Sequence, residues 1–281
     1  QGVPLVSIVR TMRALGRGAL CLVATLHAAR AFSPPASAPP RRLISRRRAF
    51  PMAAGWLDWL KPPEQGDPSD RARRYPEQYP ATTDAWAELL PEDTDPLVRR
   101  VRPLLANTQL ESRPLEEAYR ASRHGWSARA FHSRVDGKGA AVVVASGKGG
   151  ALFGGYNPKG WASMGGARPS IAAFLFDLSD GRVKLPKTGG PGLAISADDP
   201  SEGIAFGVDA LAIPLVGSGV DARVARSRLG AHFALLPDGR RSLLPGGAPF
   251  CSLSDLVVLV GRYADGEVVP YAGAVMDFTS G

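Results

Sequence analysis

Cysteine and histidine are scarce in this sequence of 281 residues, which has two cysteines and four histidines. Cys21 lies in an N-terminal apolar run, so Cys251 has no partner for an internal disulfide once that run is set aside. The three histidines that lie far C-terminal to this run, His124, His132 and His232, show no spacing typical of a metal site. The sequence therefore predicts no disulfide framework, no metal and no cofactor. No cationic side chain flanks Cys251 to activate it, so a buried structural thiol is expected there.

Acidic residues are absent from the first 52 residues, which contain nine arginines. The rest of the chain has 25 basic and 26 acidic residues, so the net charge of +8 comes from the N-terminal segment. A domain with almost no net charge releases few counterions on binding DNA or RNA. The composition therefore predicts that the protein has no nucleic-acid partner.

Long hydrophobic runs are also absent, and the apolar run ALCLVATL near the N-terminus is too short to span a bilayer. The pattern that starts at Met12 has basic flanking residues and ends in the small residues Ala29 and Ala31, which is typical of a secretory signal. On this interpretation, residues 1–11 are upstream sequence that is not translated in the cell. Residues 32–52 are rich in Ser, Pro and Arg, as transit peptides are.

A signal followed by a transit peptide, with Phe32 at the junction, resembles the bipartite plastid presequence of algae with red-derived complex plastids. The resemblance implies that residues 1–52 direct the protein into the plastid, with the stroma as the expected destination. The alternative is a protein that is secreted or stays in the endomembrane lumen.

Residues 53–113 are predicted to form a Pro-rich linker with short helices. Within it, Trp56, Leu57, Trp59 and Leu60 could form an amphipathic turn that docks on a membrane surface, or could be the fraying end of the targeting region. Two helices are expected, over residues 82–93 with Asp84 as the cap and over residues 95–106 with Asp95 as the cap. Pro103 is expected to kink or end the second helix.

Residues 114–278 are predicted to form the main domain. Residues 114–123 have the proline and glutamates of a helix start, and Ser127 can cap a second helix that ends near Val135. From residue 140 the chain consists of short apolar segments rich in Val, Ile, Leu and Phe, separated by turn residues. This pattern predicts a mainly β fold with flanking helices (α+β), arranged as a two-sheet antiparallel β-sandwich.

Motifs of catalytic or nucleotide-binding sites are missing or incomplete. The sequence lacks the G-x-S-x-G nucleophile elbow, and Gly217-x-Gly219 lacks the strand–helix context of a dinucleotide site. The SGKGG segment at residues 146–150 fits a tight hairpin turn better than a phosphate loop. His132 is expected to be structural, and no catalytic residue is assigned. A Ser-His-Asp site assembled in space from distant residues stays open.

Four ordered blocks resemble the TLDc domain of oxidation-resistance-type proteins: YRASRHGWSARAFHSRVDGKG, GALFGGYNPKGW, AFLFDL and IAFGVDALAIPL. The matching positions are Tyr119, Ser122, Gly125, Phe131, Lys138, Gly139, Phe153, Gly154, Trp161, Phe174, Leu175, Phe176, Phe206, Gly207, Leu211 and Ile213. The resemblance implies a two-sheet sandwich, a role in protection from oxidative damage, and binding to the rotary vacuolar ATPase in eukaryotic members.

Two departures from the family pattern affect its functional implications. Ala140, Ala141 and Val142 follow the Lys-Gly pair where many members have Pro-Thr-Leu, and His124 stands where Asp is common. These differences weaken any proposal of carboxylate catalysis. The sequence thus favours a non-enzymatic stress-protection or regulatory module that binds a protein partner. An enzyme of undefined chemistry in oxidative-stress defence and a peripheral thylakoid-complex subunit are the alternatives.

Overall fold

The computed structural model describes residues 75–179, 183–186, 198–217 and 221–272, together with Ala72, Gly181 and Gly219. Nine strands make up most of the regular structure in these residues: β1 Leu115–Arg120, β2 Ala141–Gly147, β3 Leu152–Asn157, β4 Phe174–Asp177, β5 Val183–Pro186, β6 Ile204–Phe206, β7 Leu211–Ile213, β8 Val224–Arg226 and β9 Phe250–Gly261. The helices are α1 Pro96–Val101, α2 Ala121–His124 and α3 Ala128–Val135, and 3-10 turns lie at Pro76–Gln78, Arg102–Leu105, Asp221–Arg223 and Pro245–Gly247.

Strand β9 joins two antiparallel sheets. Its last nine residues, 253–261, lie between β2 and β1 in a first sheet of order β5-β4-β3-β2-β9-β1. Its first three residues pair with β8, which continues through β7 to β6 in a second sheet. All pairings are antiparallel. The prediction of a mainly β, antiparallel α+β fold is therefore confirmed.

The two sheets pack face to face at Gly155 of β3, a residue without a side chain. A Cβ atom added to Gly155 would lie 2.7 Å from the ring of Phe206 and 2.9 Å from the Leu175 side chain. The bare backbone at Gly155 thus lets the Phe206 ring of β6 lie directly on the first sheet. Phe206 and Leu175 are both fully buried in the larger apolar core, which also contains the inward residues of β2 and β9.

The opposite face of the first sheet is covered by the segment that precedes β1. Val142 and Val144 point to this face, because successive side chains of a strand alternate. They share a second core cluster with Leu104, Leu105 and Leu110. The helical segment around α1 is therefore part of the folded domain and seals one side of the sheet. No helix among the described residues is long and apolar enough to cross a membrane.

The prediction of a helix over residues 82–93 is wrong. Residues 85–90 have no regular secondary structure, and the ammonium group of Lys184 binds the carbonyl oxygens of Thr82 and Ala85 at 3.2 and 2.7 Å. The backbone N–H of Ala87 donates to the carbonyl of Pro103 at 2.9 Å. Contacts with distant residues take up these polar backbone groups, and local helix propensity is too weak to compete with them.

The helix predicted over residues 114–123 is also wrong in its first part. Residues 115–120 form β1 and pair with β9, and only the four residues of α2 are helical. Glu116 and Glu117, interpreted as favourable charges at a helix start, are both half-buried residues of this strand. Glu117 instead forms ion pairs with Arg120 and Arg123. Pairing along β9 outweighs the helix signals of the local sequence.

Three local predictions are confirmed. The Asp95 side chain accepts hydrogen bonds from the N–H groups of Leu97 and Val98, and Ser127 caps α3 through the N–H of Ala130. The SGKGG segment contains the turn of the β2–β3 hairpin. The presequence expected at residues 1–52 and the docking segment at residues 56–60 lie outside the described residues.

Candidate functional site

A partly buried polar cluster lies where α3 meets the loop after β3. His132 and Asp136 are four residues apart at the end of α3, so their side chains share one face of the helix. Ser163 comes from the loop that follows the buried Trp161, and Asp198 comes from the loop before β6. The edge of the Phe131 ring packs against Trp161 at a centroid distance of 5.1 Å, which holds the helix and the loop together beneath the cluster.

The cluster is closed by short polar contacts. The Nδ1 atom of His132 lies 2.8 Å from Asp136 Oδ1, and its Nε2 atom lies 3.0 Å from the backbone carbonyl oxygen of Glu202. The hydroxyl of Ser163 donates to Asp136 Oδ2 and lies 3.1 Å from His132 Nδ1. Each polar group of the three side chains therefore has a partner inside the cluster or in the adjacent backbone.

Asp198 shapes the loop that carries Ser163. Its fully buried carboxylate accepts hydrogen bonds from the N–H groups of Ala162, Ser163 and Met164 at 2.9, 3.1 and 3.3 Å. Ser163 has a φ of +54°, a backbone conformation that is costly for a residue with a side chain. The three hydrogen bonds to Asp198 hold Ser163 in this conformation, and so place its hydroxyl on Asp136.

The surroundings of His132 favour the doubly protonated ring. Burial alone would lower the pKa of His132, but the hydrogen bond and the negative charge of Asp136, with smaller effects from the Glu202 carbonyl and Asp198, raise it above its ordinary value. A carbonyl oxygen can only accept, so Nε2 carries a proton, and the carboxylate of Asp136 favours a second proton on Nδ1. His132 and Asp136 thus form an ion pair.

This geometry differs from a Ser-His-Asp triad. In a triad, the serine and the carboxylate bind opposite nitrogens of the imidazole, which lets the ring take the serine proton. Here Ser163 and Asp136 both lie at Nδ1, and the serine proton points to Asp136. The raised pKa of His132 favours protonation of both ring nitrogens, and in that state the ring has no basic nitrogen that could activate Ser163 as a nucleophile.

Three side chains of the cluster are of the types that bind metal ions. His132, Asp136 and Asp198 each offer one ligand atom, and these atoms lie within 4.8 Å of one another. A metal requires a neutral imidazole nitrogen, whereas both nitrogens of His132 face acceptors, and Asp198 is already used by three N–H groups. The donor set fits an ion pair better than a metal centre.

The family model of the TLDc domain matches residues 94–229. The chain contains a TLDc domain. The resemblance of the four sequence blocks to this family is thereby confirmed, and the match begins before the expected boundary at residue 114 and includes α1. No curated protein matches the chain. All four side chains of the polar cluster, His132, Asp136, Ser163 and Asp198, lie within the matched part of the TLDc domain.

Most of the family-motif positions of the TLDc domain lie in its interior. Seven aromatic side chains of the motifs are fully buried or nearly so: Tyr119, Phe131, Phe153, Trp161, Phe174, Phe176 and Phe206. Four of them, Tyr119, Phe131, Trp161 and Phe206, follow one another at centroid distances of 5.1 to 6.4 Å. Gly125, Gly139 and Gly207 have positive φ angles, and Gly154 lies against the backbone of β2. Ser122 and Lys138 are exposed.

Other residues singled out in the sequence have local partners. The Nδ1 atom of His124 accepts a hydrogen bond from the N–H of Arg120 at 3.0 Å, and Ser122 contacts Asp255 through its backbone N–H. Cys251 is half-buried, and its thiol lies 3.3 Å from the carbonyl of Ser252. Among the described residues, the structure does not bring Ser122, His124 and Cys251 into one polar cluster.

Sequence reasoning missed the cluster because it compared histidines with one another. The spacing of His132 and Asp136, four residues apart on a helix, was a visible signal of a contact. Ser163 and Asp198 could not be found in this way, since both lie in loops distant in sequence from α3.

Proposed function

We propose that this protein is a non-enzymatic stress-protection or regulatory module, and that its TLDc domain acts by binding a protein partner. The observation that carries the proposal is the orientation of the Ser163 hydroxyl, which donates to Asp136. The cluster of His132, Asp136, Ser163 and Asp198 would then fasten the loop around Ser163 to α3. Its role would be to shape the surface of the domain.

The resemblance to TLDc proteins supplies the rest of the proposal. It makes protection from oxidative damage the expected biological effect and a rotary ATPase the first partner to test. A plastid location, with the stroma as the destination, is proposed on the order of signal and transit segments in residues 1–52.

Replacement of Ser163 by Ala tests the proposal. On the binding hypothesis, the variant loses one hydrogen bond to a charged carboxylate, costing about 1.5–3 kcal/mol, and still protects oxidant-sensitive cells. Ser133→Ala is a matched control, because Ser133 is an exposed serine of α3 whose hydroxyl donates only to the carbonyl of Ala130. Melting temperature and cell survival are measured for both variants. A Ser163→Ala protein that stays folded and loses protection by orders of magnitude would instead identify a catalytic serine.

A further inference from the structure

Two arginine-rich segments meet on one side of the domain. Residues 118–135 contain four arginines and no acidic residue, and residues 221–228 contain three arginines and one aspartate. The guanidinium carbon of Arg223 lies 5.4 Å from the ring centroid of Trp126, a cation–π distance. The N–H of Ala128 at the start of α3 donates to the carbonyl of Leu215 at 3.1 Å. The cation–π contact joins the two segments, and the hydrogen bond joins α3 to Leu215, which precedes the second segment in the chain.

Only some of these arginines are neutralised. Arg120 and Arg123 form ion pairs with Glu117, and Arg228 lies 3.7 Å from Asp209. Four others are exposed and have no ion-pair partner among the residues that the structure describes: Arg129, Arg134, Arg223 and Arg226. Positive charge therefore remains on this side of the domain, which we call the arginine face and define by Trp126, Arg134 and Arg223.

The pKa of His124 is affected by this positive charge. Its burial lowers the pKa of the ring, and the nearby positive charges of Arg134 and Arg123 lower it further. The neighbours of His124 thus disfavour another cation at this place. They would favour an anionic group by the same electrostatic effect.

A groove lined by apolar and charged side chains runs over the outer side of the second sheet, and Glu202 and Arg226 form part of its wall. The groove has a volume of about 360 Å³, and its lining includes Ala205, Val208, Ala212 and Val216. Val208 and Val216 are 61% and 51% exposed, which is unusual for two apolar side chains that face the same groove. Val216 directly follows Leu215, whose carbonyl binds α3, so the groove begins beside the arginine face.

We propose that the arginine face and this groove together bind an acidic segment of a partner protein that also carries apolar side chains. This inference rests on the proposed function, since it names the chemistry of the partner that the TLDc domain would bind. The acidic residues would lie on Arg134 and Arg223, and an apolar side chain would enter the groove between Val208 and Val216. Arginine and tryptophan are among the residue types enriched at the positions that contribute most to the binding energy of protein interfaces.

The shape and overall charge of the domain favour a peptide over other anionic partners. A concave groove accepts a protruding side chain, whereas a flat membrane surface cannot fill it. Nucleic acid would require many phosphate contacts, but residues 53–281 carry 25 basic and 26 acidic side chains. A short acidic segment needs only the local charge of the arginine face.

Fluorescence anisotropy with the full chain tests the proposal. The probe is a fluorescein-labelled glutamate-rich peptide with interspersed leucines. The double variant Arg134→Glu with Arg223→Glu should weaken binding at least about tenfold, because like charges then oppose each other. Arg41→Glu with Arg42→Glu makes the same change of charge in the arginine-rich N-terminal segment and should leave the binding attributed to the domain unchanged. Val216→Ser should weaken binding of the leucine-containing peptide more than binding of an all-glutamate peptide.

Several results would overturn the proposal. Equal losses in the two double variants would assign the binding to non-specific charge, and no loss in the Arg134 and Arg223 variant would exclude the arginine face. Stronger binding to a single-stranded oligonucleotide or to phosphatidylserine vesicles would replace the acidic peptide by another class of partner. The melting temperature of each variant is measured as well, to establish that the variant is folded.

The proposed function is tested separately. If the Arg134 and Arg223 variant captures the same partner as the unmodified protein, this surface is wrong and partner binding stands. If Ser163→Ala abolishes protection while the peptide still binds, the non-enzymatic function is wrong.

Discussion

Arg102 and Asp93 form a two-point ion pair in the interior of the domain. The Nε and Nη2 atoms of Arg102 lie 2.7 and 2.8 Å from the two carboxylate oxygens of Asp93. The same guanidinium donates to the carbonyls of Leu110, Glu111 and Arg113. One fully buried side chain thereby satisfies the backbone of the segment that seals the first sheet.

We expect Arg102→Met to lower the free energy of unfolding by about 3–5 kcal/mol, because it leaves the Asp93 carboxylate buried without its partner. The double variant Arg102→Met with Asp93→Leu should be less destabilised than Arg102→Met alone. Arg99→Met, an exposed change on α1, serves as the control and should stay within about 0.5 kcal/mol. Urea unfolding measures all three, and a double variant as unstable as the sum of the single changes would contradict the interpretation.

The His132–Asp136 ion pair predicts a stability that falls with rising pH. The pKa of His132 in the folded protein is raised above its ordinary value of 6.5. The contribution of the ion pair is thus fully present below about pH 6.5 and is lost as the pH rises through the folded pKa. We expect the urea midpoint of the unmodified protein to fall over this range more than that of His132→Gln. Parallel curves for the two proteins would show that His132 is not protonated in the fold.

Gly155→Ala should destabilise the contact between the two sheets. The new methyl group would lie 2.7 Å from the Phe206 ring, so the second sheet must shift, at a cost of about 1–3 kcal/mol. Phe206→Leu in the same chain should recover part of the loss, since it removes ring atoms from the contact. Thermal unfolding of both proteins tests the expectation, which fails if the second change adds its full cost to the first.

Variants of buried aromatic residues should lose stability, whereas variants of three polar or thiol side chains should keep the protective effect. Phe131→Ala or Phe174→Ala should cost about 3–5 kcal/mol, a large part of the stability of a domain. By contrast, Ser122→Ala, His124→Ala and Cys251→Ala should leave protection of oxidant-sensitive cells largely intact while the protein stays folded. Melting temperature and survival are compared side by side. A stable but inactive variant among the last three would favour an enzyme.

The N-terminal segments should be sufficient to direct a fluorescent reporter into the plastid. This expectation rests on the order of the signal in residues 12–31 and the acid-free stretch in residues 32–52. Substitution of Phe32 should divert the reporter to the periplastid space or the secretory route. Microscopy of the two reporters gives the answer, and normal plastid import of the substituted reporter would disprove the role of Phe32.

Local rules predicted the parts of the fold that depend on neighbouring residues. Asp95, Ser127 and the turn after Gly147 were all identified from spacing, because caps and tight hairpins are made by residues close in sequence. Residues 82–93 and 114–120 were predicted wrongly because Lys184 and β9 decide their conformation. The partners of these segments lie far along the chain, where propensity carries no information.

The same limit applies to the candidate site. The pair of His132 and Asp136 could have been predicted from its helical spacing. The loop conformation that brings Ser163 onto Asp136 depends on three hydrogen bonds to Asp198. No local sequence pattern predicts these hydrogen bonds. The directions of the hydrogen bonds decide which chemistry the cluster can perform, since the same residue types in another orientation would form a nucleophilic site.

The position of β9 in the chain has a consequence for biosynthesis. Ribosomes make proteins from the N-terminus, and β9 is the last strand in chain order among the described residues, yet β1, β2 and β8 all pair with it. Until residues 250–261 emerge, these earlier strands lack their common partner. The nascent polypeptide therefore exposes open strand edges through most of its translation, the state in which chains depend most on chaperones. Pairing of β1, β2 and β8 with β9 therefore waits until residues 250–261 have been made.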